Sequence, residues 1–287
     1  MANGVENQII TEPETEECIE LPEELQAPEH DGKIRKLSEY MSFVEKLPAT
    51  FSLSRGQTGD FPLLPSALRK DNKGNRKYAP LSITHFLKQF KINSHYYMDS
   101  PWDIQNDYEW MIHAQHFGIP TRLLDFTQSH IIALMFAVET AFTETTDDDT
   151  EPRDAVVWFL DPKKLNPLHS HRTDLIVLSE RDIRLDELSG PVIVQGRKLN
   201  SRINAQNGVF LYFQDTAVPL EEQVNSEDIL RKVIISGKHK KDILASLYAM
   251  GIGFTQIYPE LSSIAKDILM IDSISQYNKY RQEGGGE

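Results

Sequence analysis

The sequence predicts an α+β fold: a single domain with a helical N-terminal half and a mostly antiparallel sheet. Helical apolar spacing dominates the chain before residue 143, whereas strand-length apolar runs dominate it after residue 155. The strands and helices do not alternate regularly, as they would in a doubly wound parallel sheet. The 287 residues are 40% hydrophobic, which is sufficient for a substantial core.

The helices of the first half are predicted from apolar residues at helical spacing. They fall at residues 34–47, 83–90, 101–117 and 129–142. Gly118, followed closely by Pro120, ends the third of them, because glycine suits the position after a helix. A short strand over residues 50–53 leads into Arg55-Gly56-Gln57, and residues 121–125 are short and mixed in character.

The second half of the chain supplies most of the predicted strands. They fall at residues 155–160, 192–194, 209–213 and 233–235. The first is a continuous apolar run, which is typical of a central strand that is buried on both faces. Two further helices are predicted at residues 240–250 and 259–269.

The net charge of −13 is concentrated at the N-terminus. Residues 1–32 hold ten acidic residues, three prolines and no lysine or arginine, which predicts a disordered tail. The tail could dock on a basic partner, shield a basic groove of its own chain, or only solvate the protein. Its charge argues against nucleic acid as a partner. We expect the folded domain at residues 33–275 and a flexible end at 276–287.

Several classes of protein are excluded or disfavoured by what the sequence lacks. The single cysteine, Cys18, cannot form an internal disulfide or a cysteine-rich zinc site. The sequence shows neither a secretory signal nor an apolar run long enough to span a membrane, so we expect a cytoplasmic protein. It also lacks a phosphate-binding loop, a dinucleotide fingerprint and a nucleophile elbow.

The segment Ser54-Arg55-Gly56-Gln57 is the first candidate for chemistry. An arginine at the end of a buried strand, followed by glycine, places a guanidinium where backbone can approach a ligand. The guanidinium presents donors in a fork that fits phosphate or carboxylate. The alternative is a structural arginine that caps the end of the strand.

The second candidate is the segment that holds His113, His116, Arg122 and Asp125. The two histidines share a helix face, and with Asp125 they could bind a metal in a metal-dependent hydrolase. No glutamate lies between the histidines to act as a base, and we expect no metal. The alternative is a buried polar network of these four residues that fixes the turn at 118–121. A third segment, residues 201–210, is by itself only a turn before a strand.

Taken together, these segments resemble the FRG domain, which is named for a Phe-Arg-Gly motif. Here the motif reads Ser54-Arg55-Gly56, so the aromatic position is lost, and Gln57 and Arg69 also agree. Residues 115–127 read Gln-His-Phe-Gly-Ile-Pro-Thr-Arg-Leu-Leu-Asp-Phe-Thr, where the family has Gln-His-Tyr-Gly-Leu-Pro-Thr-Arg-Leu-Leu-Asp-Trp-Thr. The resemblance covers roughly residues 35–272, including 202–210 and 258–261, and members of the family are mainly bacterial or carried on mobile elements.

The layout is also similar to that of the ADP-ribosyltransferases of the Arg-Ser-Glu type, which implies NAD as the substrate. By this resemblance, Arg55 would hold a phosphate of NAD, and Thr127 and Ser129 would support the nicotinamide ribose. The other residues assigned to NAD binding are Gly56, His116 and Arg122.

Catalysis is the less complete part of this resemblance, because Gln206 falls where a glutamate is expected. Cleavage of the nicotinamide–ribose bond builds positive charge on the sugar, and a carboxylate stabilises that charge. Glutamine accepts a hydrogen bond without adding charge, so either Asp125 supplies the charge or the pocket binds without turnover. The catalytic assignments are therefore Asp125 and Gln206.

The resemblance implies an NAD-binding or NAD-cleaving effector in bacterial or phage conflict, with an unknown macromolecular acceptor. The alternative is an inactive recognition module for a nucleotide or a protein. Both require the predicted site residues to meet although they are far apart in sequence. We expect five of them to surround one concave site: Arg55, His116, Arg122, Asp125 and Gln206.

Overall fold

The structure is a computed structural model that describes residues 32–144, 151–180, 183–197 and 201–284. Apart from Gly32, the predicted acidic tail lies outside the described residues. The end of the chain after Gly284 also lies outside them.

Eight strands and ten α-helices form the described part of the chain. The strands are β1 (Lys33–Ile34), β2 (Leu53–Gln57), β3 (Leu123–Thr127), β4 (Ala155–Leu160), β5 (Ile176–Val177), β6 (Val192–Gln195), β7 (Gly208–Tyr212) and β8 (Leu230–Ile235). The helices are α1 (Leu37–Lys46), α2 (Pro80–Ser94), α3 (Asp107–His116), α4 (His130–Val138), α5 (Pro162–Ser170), α6 (Ser201–Ala205), α7 (Ser226–Ile229), α8 (Lys240–Ala249), α9 (Phe254–Ile257) and α10 (Leu261–Gln282).

All eight strands belong to one sheet, in the order β1-β8-β4-β2-β3-β7-β6-β5. The two edge pairs, β1 with β8 and β5 with β6, are parallel, and the five inner pairs are antiparallel. The predicted α+β class with a mostly antiparallel sheet is therefore confirmed.

Strand β3 is the main element that the sequence pattern did not reveal. Four of its five residues are buried and Asp125 alone is exposed, so the strand shows no regular alternation of buried and exposed residues. The predicted central strand 155–160 has the expected bounds, and every one of its residues is buried. At the other end of the chain, α10 continues to Gln282, past the predicted boundary at residue 275.

Three apolar clusters flank the sheet, and their positions divide one of its faces. The first cluster packs α1, α4 and α8–α10 against β4 and β8. The third packs α3 and α6 against β3, β5, β6 and β7 on the same face. The second covers the opposite face and includes residues of β2, β3, β4, β6, β7 and β8. The first face therefore has two separate cores with a gap between them.

The gap lies where the two central strands, β2 and β3, separate. Ser54 and Thr127 form the one pair of residues in the register between these strands. On the other side of β2, all five residues pair with β4. Strand β2 is therefore anchored to the first half of the sheet, and it opens away from the second half after Ser54.

Helix α4 sits unusually close to β2 at Gly56. A Cβ atom placed on Gly56 would lie 1.8 Å from the carbonyl oxygen of Ala133 and 2.8 Å from the amide nitrogen of Ala137. Glycine is thus required here by the close approach of the helix backbone to the strand. This contact fixes the wall of the gap that β2 and α4 share.

No helix among the described residues is both long and apolar enough to cross a membrane.

Replacement of Gly56 by alanine is expected to destabilise the fold. The added methyl group would overlap the backbone of α4, and overpacking of this kind costs about 1–3 kcal/mol. The matched control is Gly208→Ala, because the nearest atom to a Cβ at this other strand glycine is 3.6 Å away. That change should leave the free energy of unfolding the same or raise it by up to about 1 kcal/mol. Denaturant unfolding of both variants measures the difference, and equal stabilities would contradict the packing argument.

Candidate functional site

A cavity of about 350 Å³ occupies the gap between β2 and β3, and we call it the cleft. Residues from both halves of the sheet line it, together with side chains of α3, α4 and α6. They are Ser54, Arg55, Gly56, Gln57, Thr58, Phe61, Arg69, Ile112, Gln115, His116, Asp125, Phe126, Thr127, Phe136, Glu139, Arg202, Ile203, Gln206, Gly208 and Phe210. The volume falls in the range of roughly 300–1,000 Å³ that is usual for small-molecule sites.

Arg55 bridges the two strands where their backbones separate. Its Nη1 atom donates a 2.7 Å hydrogen bond to the carbonyl oxygen of Asp125. The same nitrogen lies 3.9 Å from Oδ2 of Asp125, and the Arg55 side chain is 18% exposed. Burial lowers the pKa of Arg55 and the carboxylate of Asp125 opposes this, so the guanidinium keeps its charge at neutral pH.

Asp125 presents an exposed carboxylate to the cleft, with 60% of its side chain accessible. Its Oδ1 atom accepts a 2.7 Å hydrogen bond from Nε2 of Gln115 on α3. The Gln115 amide oxygen in turn accepts a hydrogen bond from the hydroxyl of Thr121. The carboxylate is thus oriented from α3 while it stays open to a ligand.

Thr127 links three segments of the chain beneath the cleft. Its hydroxyl donates a 2.6 Å hydrogen bond to the carbonyl oxygen of Gln206 and accepts a 3.0 Å bond from the amide of Ser129. The side chain is buried, with 2% of the residue exposed. Ser129 lies at the start of α4 and is not among the residues that line the cleft. Thr127 therefore contributes mainly to the shape of the site.

Three buried polar atoms of cleft residues make no hydrogen bond within the described part of the chain. They are Nε of Arg55, Oε1 of Gln57 and Nε2 of Gln206. Gln57 is only 6% exposed, so its amide oxygen has little access to bulk water. Unsatisfied buried polar groups are rare because each is costly. Five other atoms of this kind lie on described residues outside the cleft, so the feature is not confined to this cavity.

The two histidines of the central motif have different positions. His116 lines the cleft, and His113 is not among the lining residues. Burial lowers the pKa of both imidazoles, and both are therefore neutral at pH 7. Among the described residues, no group of three His, Cys, Asp or Glu side chains is placed to hold a metal ion. The hydrolase alternative built on His113, His116 and Asp125 gains no support from this geometry.

Arg122 does not join the other predicted residues. Its Nη1 atom forms a 2.6 Å ion pair with Asp186, and its guanidinium lies 5.0 Å from the ring centre of Tyr212. It lines a second cavity of about 510 Å³ instead of the cleft. The structure therefore corrects the expectation that Arg122 shares the concave site. The alternative of a network that includes Arg122 and Asp125 also gains no support, because Arg122 pairs with Asp186. Arg55, His116, Asp125 and Gln206 do line one cleft, as expected.

Several cleft residues were not identified by the sequence argument. Glu139 follows the last residue of α4, and Arg202 lies on the short helix α6. The sequence assigned no role to Gln115, although its side chain donates a hydrogen bond to Asp125. The run of polar residues at 201–207 was the one available signal for Arg202. No feature of the sequence indicated a functional role for Glu139, because it lies near the end of an apolar helical segment.

The comparison with protein families agrees with this arrangement. The family model described as FRG domain matches residues 52–146. This range includes β2, β3 and α4, and hence Arg55, Asp125 and Glu139, but ends before Gln206. The searches of curated proteins and of solved structures gave no match. Residues 52–146 are therefore similar to the FRG domain, and this segment supplies lining residues from both β2 and β3, including Arg55.

Proposed function

We propose that the cleft binds NAD and that the protein is an ADP-ribosyltransferase-like enzyme that cleaves the nicotinamide–ribose bond. The observation that carries the proposal is the convergence of Arg55, Asp125 and Gln206 on one cavity. A guanidinium, a carboxylate and a carboxamide together suit a ligand that has both phosphate and hydroxyl groups. The order of the site residues along the chain resembles that of the transferases, and this resemblance favours NAD among such ligands.

Arg55 is the proposed phosphate ligand. Its Nε atom is unpartnered, while Nη1 is held by the Asp125 carbonyl, so the guanidinium is already oriented before a ligand arrives. Arg69 also lines the cleft, and its positive charge lowers the pKa of Arg55, so the two guanidinium groups act on each other electrostatically. A bound pyrophosphate would relieve this repulsion.

Asp125 is the proposed stabiliser of the reacting sugar. When the bond to nicotinamide breaks, the electron pair leaves with nicotinamide and positive charge develops on the ribose. The Asp125 carboxylate faces the cleft and would offset this charge. Gln206, which also lines the cleft, would hold a ribose hydroxyl through its carboxamide. In this arrangement, Asp125 provides the charge that Gln206 lacks.

The biological role that we propose is that of an effector in bacterial or phage conflict, and it rests on the family resemblance. A recognition module without turnover is the second candidate. It is favoured by the amide of Gln206 where the transferases carry a carboxylate. The two candidates share the binding site and differ only in whether nicotinamide is released.

Replacement of Arg55 by alanine is expected to weaken NAD binding by about 10- to 100-fold, because charge-assisted hydrogen bonds to the phosphate are lost. Calorimetric titration with NAD measures the change. The matched control is Arg172→Ala, which removes an arginine from an exposed ion pair with Glu180. NAD affinity that is unaffected by Arg55→Ala, or absent from the wild type, would contradict the proposal.

Replacement of Asp125 by asparagine is expected to lower kcat for nicotinamide release by about 100-fold or more with little change in the Kd for NAD. A contact that strengthens only in the transition state affects turnover selectively. The asparagine oxygen can still accept the hydrogen bond from Gln115, so the local fold is retained.

The matched control for that variant is Asp107→Asn, since Asp107 also has an exposed side chain in an ion pair away from the cleft. Chromatographic assay of nicotinamide gives the rates. NAD binding without release by the wild type would favour the recognition module. Equal rates for wild type and Asp125→Asn would show that Asp125 does not stabilise the reacting sugar.

A further inference from the structure

Glu139 places a second carboxyl group in the wall of the cleft, and the proposed cleavage does not yet use it. The residue follows the last turn of α4, where the negative end of the helix dipole disfavours a further negative charge. Its side chain is largely shielded from solvent and lines the cleft. A carboxyl group that is partly withdrawn from water is costly unless it has a function or a partner.

The partners of Glu139 satisfy only one of its two carboxylate oxygens. Oε2 accepts a 3.0 Å hydrogen bond from the hydroxyl of Tyr258. Oε1 has no hydrogen-bond partner among the described residues. The Tyr258 ring packs edge-on against Phe136, another residue of the wall, with 6.0 Å between ring centres. The tyrosine thus holds the carboxylate in place and leaves one oxygen available to a ligand or to water.

Charged groups from two other elements act on Glu139 without pairing with it directly. Lys266 of α10 and Arg202 of α6 favour its ionised form, but burial outweighs them and raises the pKa of Glu139 above the ordinary value. The Arg202 guanidinium lies 4.7 Å from the centre of the Tyr258 ring. Asp125 from β3 and His116 from α3 lie further round the same site, where they interact with Tyr258 and Arg202 respectively.

We propose that Glu139 is the proton acceptor for an oxygen nucleophile, water or a hydroxyl group, that attacks the ribose of NAD. The inference rests on the proposed function and adds the class of acceptor to it. The new bond joins the nucleophile oxygen to the ribose carbon, and the bond from that carbon to nicotinamide breaks. The electron pair leaves with nicotinamide, and the proton of the nucleophile passes to Glu139 and then to solvent. With water, the products are ADP-ribose, nicotinamide and one proton.

The two carboxylates of the cleft then have different tasks that match their surroundings. Asp125 is open to solvent and presents its side chain to the sugar, where positive charge develops. Glu139 is shielded, and a carboxylate with a raised pKa is a stronger base than an exposed one. This division explains how the site could work with an amide at Gln206.

The test is the pH dependence of nicotinamide release by the full chain, with NAD as the substrate. A base must be deprotonated, so turnover should be present above the pKa of Glu139 and lost as the pH falls through it. We expect the wild type to show an acidic limb with a midpoint above the ordinary glutamate value of about 4.3. Glu139→Gln should lower kcat by about 10²- to 10⁴-fold and abolish this limb.

Glutamine can keep the hydrogen bond from Tyr258, so Glu139→Gln should retain its Kd for NAD. Glu221→Gln is the matched control, because burial also raises the pKa of Glu221, which lies outside the cleft. The control should keep both the rate and the acidic limb. Formate added to Glu139→Ala should restore part of the turnover by acting as a diffusible base, which a purely structural role would not allow.

The outcomes separate the inference from the proposed function. Failure of the wild type to bind NAD would overturn both. Binding of NAD without release of nicotinamide would contradict the enzyme hypothesis and the role of Glu139. The recognition module would then be the supported function. Release of nicotinamide by the wild type, with the same acidic limb in Glu139→Gln, would overturn the inference alone.

Discussion

The hydrogen bond from Arg55 to the carbonyl of Asp125 is the interaction on which the site depends. After the Ser54–Thr127 pair, the backbones of β2 and β3 separate, and this side chain spans the opening. An arginine there serves two purposes, because it satisfies a carbonyl that a neighbouring strand would otherwise bond and it brings positive charge into the gap. The cleft and its charge therefore arise from the same departure from regular sheet pairing.

The sequence was most informative at its short motifs. Arg55, His116, Asp125 and Gln206 were predicted from their motifs, and they line one cleft. The α+β class followed from the distribution of helical and strand-length patterns along the chain. Strand β3 was not recognised, since five residues with two polar members give too short an alternation to distinguish a strand from a loop.

The remaining differences come from contacts that the local pattern does not contain. Arg122 precedes β3 and lies three residues from Asp125, or about 10 Å along an extended chain. It forms an ion pair with Asp186 instead, which lies more than 60 positions later in the chain. Glu139 is placed in the cleft wall only because α4 approaches the backbone of β2 at Gly56. No periodicity or spacing in the sequence expresses either tertiary contact.

The three apolar clusters make the two faces of the sheet mechanically different. One continuous core joins both halves of the sheet on the face away from the cleft, while each half has its own core on the cleft face. Close packing resists displacement only where atoms are in contact. The continuous core on the face away from the cleft therefore holds the two halves of the sheet in place. On the cleft face no apolar core of the described residues joins the two halves. A ligand that contacts both walls of the cleft would connect them there.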